Sequence, residues 1–272
     1  MIPAAFEYQR VGTADEALAL LVEHGDEAKL LAGGMSLLPL MKLRLSTPTV
    51  VVDVGRVTDL SYIRDEGDHL AVGALTRHRD LETSDLLARE CAVLRAVAGQ
   101  VGDNQVRHRG TIGGSVAHGD PASDLPAALL ALDARFVVRG PEGERIVGAA
   151  DFFLGFLETA LGADEMLVEI RVPRAGASGF GFEKINRRAQ DYAIVGAVAA
   201  RVAGGIRVGL VNMGSTPVRA HAVEHALEQG ASIEAAAREA AVGLDPPGDL
   251  NASPEYRAHL AQVAVHRALA SV

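Results

Sequence analysis

Two short glycine-containing segments carry the residue types and spacing that most directly indicate ligand binding. They are Ala32–Ser36, with the sequence AGGMS, and Gly110–Ser115, with the sequence GTIGGS. Glycine has no Cβ, so consecutive backbone amides in such segments can approach one bound anion closely. The hydroxyl groups of Ser36, Thr111 and Ser115 add hydrogen-bond donors beside those amides. The pattern therefore predicts one phosphate-bearing ligand that two loops bind from two sides.

Neither segment has the spacing of a better-known nucleotide motif. Both lack the Gly-x-x-x-x-Gly-Lys-Ser/Thr pattern of nucleotide triphosphatases and the Gly-x-Gly-x-x-Gly pattern of dinucleotide-binding turns. A single Gly-Gly-x-Ser segment is more often an ordinary strand-to-helix turn that needs glycine for its backbone shape. That alternative stays open for each loop taken alone, and the occurrence of two such loops favours a ligand.

The segments beside the loops predict the elements that position them. Apolar and β-branched runs predict strands at Ala28–Ala32 and Thr49–Val54, and a short helix is predicted at Ser36–Leu43. A helix at Leu86–Ala98 precedes the polar and basic segment Asn104–Ser115, which ends in the second loop. The first loop is therefore expected between a strand and a helix.

The rest of the chain predicts a mixture of helices and strands. Predicted elements include a capping box at Thr13–Glu16, a hairpin of Tyr62–Arg64 and His69–Ala74, helices at Arg77–Glu82 and Pro121–Leu132, strands at Arg135–Arg139 and Glu165–Val172, and an antiparallel meander of Gly181–Ile185, Ala193–Ala203 and Ile206–Met213. Gly204 and Gly205 suit a tight turn in which both residues have positive φ. Three helical stretches are expected near residues 219–229, 232–242 and 254–270. The small-residue link Arg174–Ser178 is the predicted domain boundary.

Composition limits the classes of function. The 272 residues are 49% hydrophobic and 22% charged, which is typical of a globular protein with a substantial core. A formal net charge of -9 argues against nucleic acid as a partner, because phosphate backbones require a basic surface. Cys91 is the single cysteine, which excludes an intrachain disulfide and an iron–sulfur cluster held by four thiolates. Met1–Glu7 lacks the character of a secretion signal, and the apolar region Tyr192–Met213 is interrupted by charged and glycine residues, so no transmembrane segment is expected.

Longer stretches around both loops resemble a known family. Lys29–Arg44 resembles the first FAD-binding loop of the flavoprotein (medium) subunit of carbon monoxide dehydrogenase-type molybdenum hydroxylases, and Gln105–Pro126 resembles the second. The similarity continues through Phe182–Lys184, Arg187–Arg188, Asp191–Tyr192 and Arg219–Leu227. It covers nearly the whole chain, and an equivalent domain occurs within xanthine dehydrogenase.

The resemblance implies an α+β fold. In the family, an FAD-binding domain of two α/β subdomains (PCMH/VAO-like) precedes a C-terminal domain with a three-stranded antiparallel sheet and a helix bundle. Transferred to this chain, the FAD-binding domain is residues 1–173, with subdomains of about 1–55 and 56–173, and the C-terminal flavoprotein domain is residues 178–272. The independently predicted meander agrees with that layout.

The resemblance also implies which residues bind FAD, and it assigns neither a catalytic residue nor a metal ligand to this chain. The expected cofactor-binding residues are Lys29, Leu30, Leu31, Ala32, Gly33, Gly34, Met35, Ser36, Leu37, Val101, Gly110, Thr111, Ile112, Gly113, Gly114, Ser115, Ala117, Asp124, Leu167, Lys184 and Tyr192.

Five of these residues carry more specific expectations. Asp124 would accept a hydrogen bond from a polar part of the cofactor, although an Asp near a helix start is otherwise a cap. Leu167 and Lys184 match positions near the flavin ring, where a lysine charge would stabilise reduced flavin; the alternatives are a core leucine and a surface lysine. Tyr192 resembles an aromatic residue that covers one face of the ring. Met35 departs from the family, in which His or Gln is common, so only its backbone contacts are expected.

By resemblance, the chain is one subunit of a molybdenum hydroxylase complex. A large molybdopterin subunit would oxidise the substrate, and a small iron–sulfur subunit would pass electrons singly to FAD, which would discharge them to an external acceptor. The chain would bind, orient and tune the flavin without oxidising substrate alone. A cysteine-poor chain without an export signal is expected in the cytoplasm.

Two alternative functions and the role of one basic segment remain open. His221-Ala-Val-Glu-His225 has the His-x-x-Glu-His spacing of inverted zinc peptidases, with His221, Glu224 and His225 as the candidate site. A flavin-free regulatory relative of the same fold is a second possibility. The basic run Arg107–Arg109 would suit an anionic cofactor or an acidic partner. The alternative is that it is a basic loop exposed to solvent.

Overall fold

The strand that leads into the first glycine loop belongs to a small parallel sheet. In the computed structural model, which describes residues 1–176 and 178–272, the first elements are β1 (Glu7–Arg10), α1 (Ala14–His24), β2 (Ala28–Leu31), α2 (Leu37–Leu43) and β3 (Val50–Asp53). The strands are ordered β1-β3-β2, and both pairs are parallel. The predicted capping box starts α1, where Thr13 accepts a hydrogen bond from the Glu16 amide. The carboxyl end of β2 therefore delivers the chain to the loop before α2.

The second loop lies in a helix-rich segment on a larger antiparallel sheet. The elements are β4 (Ile63–Asp65), β5 (His69–Gly73), α3 (His78–Thr83), α4 (Asp85–Glu90), α5 (Ala92–Ala98), α6 (Asn104–Arg109), α7 (Ile112–His118), α8 (Asp124–Ala131), β6 (Arg135–Gly140), β7 (Gly143–Gly148), α9 (Ala149–Phe152), β8 (Phe153–Gly155), β9 (Glu158–Thr159) and β10 (Met166–Pro173). Five strands form a sheet in the order β4-β5-β10-β6-β7, and β8 pairs with β9 as a separate hairpin. Six helices, α3 to α8, stand between β5 and β6 in the chain.

The predicted meander forms the C-terminal sheet. Its elements are β11 (Phe180–Ile185), β12 (Val195–Val202), β13 (Gly205–Val211) and β14 (Val218–Arg219), followed by α10 (His221–Glu228), α11 (Ile233–Arg238) and α12 (Pro254–Leu269). All neighbouring strands are antiparallel, and the two-residue β14 extends the three predicted strands to four. Gly204 and Gly205 have φ values of 96° and 123°, as predicted for their turn. Among the described residues, no helix combines the length and apolar character needed to cross a membrane.

The three largest buried clusters of the described residues join these layers. Along β6, Phe136 and Val138 face one cluster while Val137 faces another, which is the alternation expected of a strand covered on both sides. The first of these clusters includes α3, α4, α5, α7 and α8 and extends to Val198 of β12. The other covers the parallel sheet and α1, and a third packs the C-terminal sheet against α10, α11 and α12. The five-stranded sheet therefore lies between the parallel sheet that carries the first glycine loop and the helices that carry the second.

The predicted single helix at Leu86–Ala98 is wrong in one respect, because Cys91 divides it into α4 and α5. Cys91 leaves the helical conformation, with φ of -158° and ψ of 63°, and forms a parallel bridge with Gly176. The Ala92 N–H donates to the Gly176 carbonyl at 3.0 Å. Pairing with the segment after β10 overrides the local helical pattern at this point.

The segment Asn104–Ser115 is more regular than its polar composition indicates, since it contains α6 and the first turn of α7. Asp103 accepts from the Val106 amide at 2.9 Å, and Thr111 accepts from the Gly114 amide at 3.1 Å. These two side-chain caps start the two helices. The predicted boundary link at residues 174–178 includes Ala177, which lies outside the described residues.

Candidate functional site

The structure brings nearly all of the predicted binding residues to the wall of one cavity of about 750 Å³. A cavity of this size is within the range of small-molecule and cofactor sites. The predicted residues that line it are Lys29, Leu30, Ala32, Gly33, Gly34, Met35, Ser36, Leu37, Val101, Gly110, Thr111, Gly113, Gly114, Ser115, Ala117, Asp124, Leu167, Lys184 and Tyr192.

Two predicted residues, Leu31 and Ile112, do not line the cavity. Ile112 is completely buried in the core that supports α7. Leu31 is half-buried at the end of β2, and its Cδ1 lies under Gly34, 3.2 Å from the position a Cβ would take there. Both residues support a glycine loop from below, which a contiguous sequence motif cannot distinguish from contact with a ligand.

The first glycine loop presents backbone donors that the protein does not use. Among the residues that the structure describes, no acceptor receives a hydrogen bond from the N–H groups of Gly33 to Leu37. Gly33 and Gly34 are nevertheless buried. Gly34 has φ of 74°, a conformation that L-residues with a side chain rarely adopt. Buried amides in native proteins are almost always paired, so this row of free N–H groups fits an anionic ligand.

The two loops touch each other at Gly33. A Cβ added to Gly33 would lie 2.3 Å from the carbonyl oxygen of Arg109 and 2.8 Å from the Cα of Gly110. No side chain fits in that space, because backbone atoms cannot move aside independently. Glycine at position 33 therefore allows both loops to border the same part of the cavity.

The second loop differs from the first because nearly all of its amides are occupied. The N–H groups of residues 112 to 115 all donate within the protein. The Ile112 N–H donates to the Thr76 carbonyl at 3.0 Å, and the Gly113 N–H donates to the Ala74 carbonyl at 2.9 Å. The Gly114 N–H donates to the Thr111 hydroxyl at 3.1 Å, and the Ser115 N–H donates to the Thr111 carbonyl at 3.0 Å. A Cβ on Gly113 would lie 2.5 Å from both the Cβ and the carbonyl oxygen of Ala74. This loop therefore offers the cavity hydroxyl groups and a closely packed backbone rather than a row of free amides.

A buried ion pair lies at another part of the cavity wall. The Nζ of Lys184 is 2.6 Å from Oδ2 of Asp124, and the side chains are only 3% and 5% exposed. Lys184 also donates to the carbonyl of Gln100 at 3.0 Å. Asp124 Oδ1 is buried and has no hydrogen-bond partner among the described residues. Lys184 is thus not the surface lysine that was its alternative, and Asp124 has one oxygen without a partner among the described residues.

The charge state of this pair responds to its burial. Burial raises the pKa of Asp124 to about 6, and the positive charge and hydrogen bond of Lys184 oppose that rise. Desolvation disfavours a carboxylate, so a neighbouring cation is needed to keep it ionised near neutral pH. The ammonium group of Lys184 pairs with Asp124 on the wall of the cavity.

Two further predicted residues border the cavity, one of them buried and the other exposed. Leu167 is 6% exposed and lies in β10 where the pairing with β6 shifts register between Leu167 and Glu169. Such bulges redirect side chains and are frequent beside functional sites. Tyr192 is 61% exposed, so its ring is free to cover a ligand bound beneath it.

Sequence reasoning missed several residues of the cavity wall. The β8–β9 hairpin contributes Leu157, Glu158 and Thr159, and α3 contributes His78. Leu157 is a non-glycine residue with φ of 57°, a backbone conformation seen mostly where the structure imposes it. These residues come from segments far from both loops, and no local pattern marks them; only the topology brings them to the cavity.

The basic run beside the second loop is largely committed to the protein. Arg107 donates to Glu82 at 3.0 Å and to Asn104 at 2.7 Å, and its side chain is 12% exposed. The ring of His108 is 2.6 Å from the carbonyl of Asn104. Among the alternatives for this run, a freely solvated basic loop does not describe Arg107.

The His-x-x-Glu-His segment has the wrong geometry for a zinc peptidase. Glu224 is buried, pairs with Arg219 at 2.6 Å and accepts from the Val208 amide at 2.9 Å. His221 and His225 are exposed. Among the described residues, no group of three or more His, Cys, Asp or Glu side chains is placed to hold a metal. Glu224 instead attaches the start of α10 to the C-terminal sheet.

Comparisons with known proteins agree along the whole chain. The family model described as "FAD binding domain in molybdopterin dehydrogenase" matches residues 4–175, and the one described as "CO dehydrogenase flavoprotein C-terminal domain" matches residues 180–272. The chain is 42% identical to the carbon monoxide dehydrogenase medium chain of Hydrogenophaga pseudoflava, over 99% of this chain and 97% of the relative. It is 37% identical to the 6-hydroxypseudooxynicotine dehydrogenase complex subunit alpha of Paenarthrobacter nicotinovorans, over 99% of this chain and 95% of the relative.

A solved structure gives the same result. The structure of carbon monoxide dehydrogenase from Hydrogenophaga pseudoflava, in a form that lacks the Mo-pyranopterin moiety of the molybdenum cofactor, matches with a TM-score of 0.96 at 42% identity. The match covers 100% of this chain and 98% of that chain. The predicted fold class, α+β with a C-terminal antiparallel sheet and helices, is confirmed.

Proposed function

The chain belongs to the family of FAD-binding flavoprotein subunits of carbon monoxide dehydrogenase-type molybdenum hydroxylases, and we propose that it relays electrons within such a complex. In this proposal, a large molybdopterin subunit oxidises the substrate and a small iron–sulfur subunit delivers the electrons. FAD, when bound, supplies the exchange between one-electron and two-electron transfer, and the electrons leave to an external acceptor. The relatives' printed names, "medium chain" and "complex subunit alpha", support assembly with partners. We propose a cytoplasmic location for the complex.

The cysteine content supports this division of work between subunits. The sequence has one cysteine, Cys91, and it is buried. Burial raises the pKa of its thiol to about 12, so it is a poor source of the thiolate that iron–sulfur clusters require. Clusters that exchange electrons with the flavin therefore need ligands from another chain.

The observation that carries the proposal is the row of amides at Gly33 to Leu37 that have no acceptor within residues 1–176 and 178–272, on the wall of the cavity that both loops border. An anionic group such as the FAD diphosphate can accept hydrogen bonds from several consecutive N–H groups at once. Thr111 and Ser115 would add hydroxyl donors from the second loop. The residues present thus fit the cofactor without a lysine or arginine bound directly to the phosphates.

The other part of the cavity suits the flavin ring. Leu167 offers an apolar surface, Tyr192 an exposed aromatic ring, and the Asp124–Lys184 pair a free carboxylate oxygen beside a cation. Asp124 lies in the predicted FAD-binding domain, residues 1–173, whereas Lys184 and Tyr192 lie in the predicted C-terminal domain, residues 178–272. We place the flavin ring where these two domains meet, a common location for cofactors.

Purification of the full-length chain tests the proposal. We expect a yellow protein with flavin absorbance bands and one FAD per chain, or a colourless form that regains them when FAD is added. A correctly folded chain that binds no FAD would overturn the proposal and favour the flavin-free relative. Stoichiometric zinc without flavin would favour the peptidase. Co-purification from the native source should recover two further subunits, one with molybdenum and one with iron and sulfide.

The proposed tuning role of Lys184 has its own test. The Lys184→Ala variant should lower the flavin midpoint potential, because a positive charge stabilises the reduced, negatively charged flavin. Removing Lys184 also leaves Asp124 buried without its cation, which should destabilise the protein by about 3 kcal/mol. The double variant Lys184→Met with Asp124→Asn removes that problem, and Lys42→Ala, at an exposed site in α2, is the matched control. An unchanged midpoint in both Lys184 variants would refute the role.

A further inference from the structure

His78 is a buried imidazole on the cavity wall with unused hydrogen-bonding capacity. It is the first residue of α3 and is 4% exposed. Its Nδ1 is buried and has no hydrogen-bond partner among the described residues. Buried side-chain nitrogens are rarely left unpaired in native proteins, so this one requires an explanation. His78 lines the cavity, so the missing partner is to be sought in a ligand bound there.

The surroundings of His78 place it where the two glycine loops meet. Its ring packs against Gly110, since a Cβ added there would lie 2.6 Å from Cδ2 and 2.7 Å from Nε2. Gly110 in turn lies against Gly33, at the start of the row of free amides. The His78 amide donates to the Gly110 carbonyl at 3.0 Å, which fixes the imidazole relative to the second loop. His78 is therefore on the proposed diphosphate side of the cavity.

The electrostatic surroundings of His78 favour an anion. Burial, together with the charges of Arg77 and Arg107, lowers the pKa of His78 to about 4, so the ring is neutral near pH 7 without a ligand. The other charged or titratable groups on the elements packed around it are Arg79, Asp80 and Glu82 on α3, Arg95 on α5, His108 and Arg109 on α6, and Asp53, which acts on Arg77. Glu82 is occupied by Arg107 and Arg79, and Asp80 by the Arg77 amide. None of these carboxylates is a hydrogen-bond partner of the His78 ring among the described residues.

We propose that His78 is a further contact of the FAD diphosphate and takes up a proton when the cofactor binds. This inference rests on the proposed function. A nearby anion favours the charged imidazolium, so binding raises the histidine's affinity for a proton. The proton comes from solvent, and the product is a charge-assisted hydrogen bond from imidazolium to phosphate oxygen. His78 thereby supplies the cation that neither loop provides.

The sign of the pH dependence follows from linkage. Because the bound state holds more protons than the free state, FAD affinity rises as pH falls from the pKa of the bound imidazolium toward about 4, the pKa of the free site. Above the pKa of the bound imidazolium, the affinity no longer changes with pH from this cause. A ligand that lacks the diphosphate should show neither the proton uptake nor the dependence.

The test uses the full chain, freed of flavin and titrated with FAD by fluorescence between pH 5.5 and 8.5. Calorimetry in buffers of different ionisation enthalpy counts the protons taken up. We expect uptake by the wild type near pH 6 and none by His78→Gln, whose FAD affinity should be about tenfold lower at that pH and nearly independent of pH. Riboflavin, which has no phosphate, should bind both proteins equally and shows that the variant is folded.

Two further variants make the outcome specific. His108→Gln changes an exposed histidine on the neighbouring α6 and should behave as the wild type. His118→Gln changes another histidine of the cavity wall and should keep the proton uptake. Uptake that persists in His78→Gln, or that disappears in His118→Gln instead, would overturn the inference. If the wild type bound no FAD at all, the proposed function itself would fail, which is a different result.

Discussion

The two glycine loops have similar sequences but use glycine in different ways. In the first, Gly33 and Gly34 leave a row of backbone N–H groups without partners in the described part of the chain. In the second, Gly113 and Gly114 lie in the first turn of α7, and their N–H groups are taken by Ala74 and Thr111. The first loop therefore has backbone N–H groups that can donate hydrogen bonds to a ligand. In the second loop, the glycines instead allow the backbone to pack closely against its neighbours.

This difference indicates what holds each loop in place. The second loop is anchored by its own hydrogen bonds and by contact of Gly113 with Ala74. The first loop has few internal bonds and depends on its contact with the second, through Gly33 and the backbone of Arg109 and Gly110. Unpaired amides at the buried residues Gly33 and Gly34 are costly, so the first loop is expected to gain most from a bound ligand.

Gly33→Ala should have the largest effect, because it breaks the contact that joins the loops. The new Cβ would lie 2.3 Å from the Arg109 carbonyl oxygen, and only backbone movement relieves that overlap. We expect the free energy of unfolding to fall by about 3 kcal/mol. FAD affinity should fall by more than about tenfold, since the amides move away from the second loop. Denaturant unfolding and FAD titration measure the two effects.

Gly99→Ala is the matched control for that substitution. Gly99 follows α5 with φ of -65°, and an added Cβ would meet its nearest neighbours at 3.5 Å, an ordinary contact distance. Its stability should change by no more than about 1 kcal/mol, in the stabilising direction. If Gly33→Ala were as stable as Gly99→Ala and bound FAD normally, the loops would not support each other as described.

The sequence predicted the position of the loops between other elements better than it predicted which of their N–H groups are hydrogen-bonded. Strand–loop–helix order around Ala32–Ser36 follows from an apolar run, two glycines and a helical pattern, and all three are local. The occupied amides of the second loop depend on Thr76 and Ala74, which lie some forty residues earlier in the chain. Local pattern cannot show which donors a distant segment will use, so the second loop could not be distinguished from the first.

Removing one hydroxyl group from each loop tests the difference between the loops, with smaller expected effects on stability and FAD affinity than those of Gly33→Ala. Thr111→Val removes the acceptor for the Gly114 amide at the start of α7, so it should cost about 1 kcal/mol of stability as well as FAD affinity. Ser36 occupies the equivalent position before α2, but its side chain makes no cap hydrogen bond. Ser36→Ala should therefore change stability by less than about 0.5 kcal/mol while weakening FAD binding about fivefold. Thermal unfolding with and without FAD separates the two behaviours.

The reverse pattern would break the comparison. A large stability loss in Ser36→Ala would mean that the first loop carries internal structure of its own. Unchanged stability in Thr111→Val would mean that the cap at α7 contributes little, and the second loop would then be held mainly by the contact of Gly113 with Ala74.

The remaining cavity residues show a second limit of sequence reasoning. Asp124 and Lys184 were expected near the cofactor by resemblance, but their 2.6 Å ion pair joins residues 60 positions apart. His78 had no motif at all and is brought to the cavity only because α3 packs beside α6 and the second loop. Residues that act through such long-range contacts appear only when the sheet order and helix packing are known.

The smallest expected effect concerns Met35, a position at which the resemblance implies a polar residue. If the first loop binds the diphosphate through its amides, the side chain at this position matters little, because the N–H group is the same in every residue except proline. Met35 is 39% exposed, so Met35→Gln should change the free energy of unfolding by less than about 0.5 kcal/mol. FAD affinity, measured by fluorescence titration, should change less than about threefold in Met35→Gln and in Met35→Ala alike. A tenfold gain confined to Met35→Gln would reveal a side-chain hydrogen bond, and the first loop would then not be a purely backbone site.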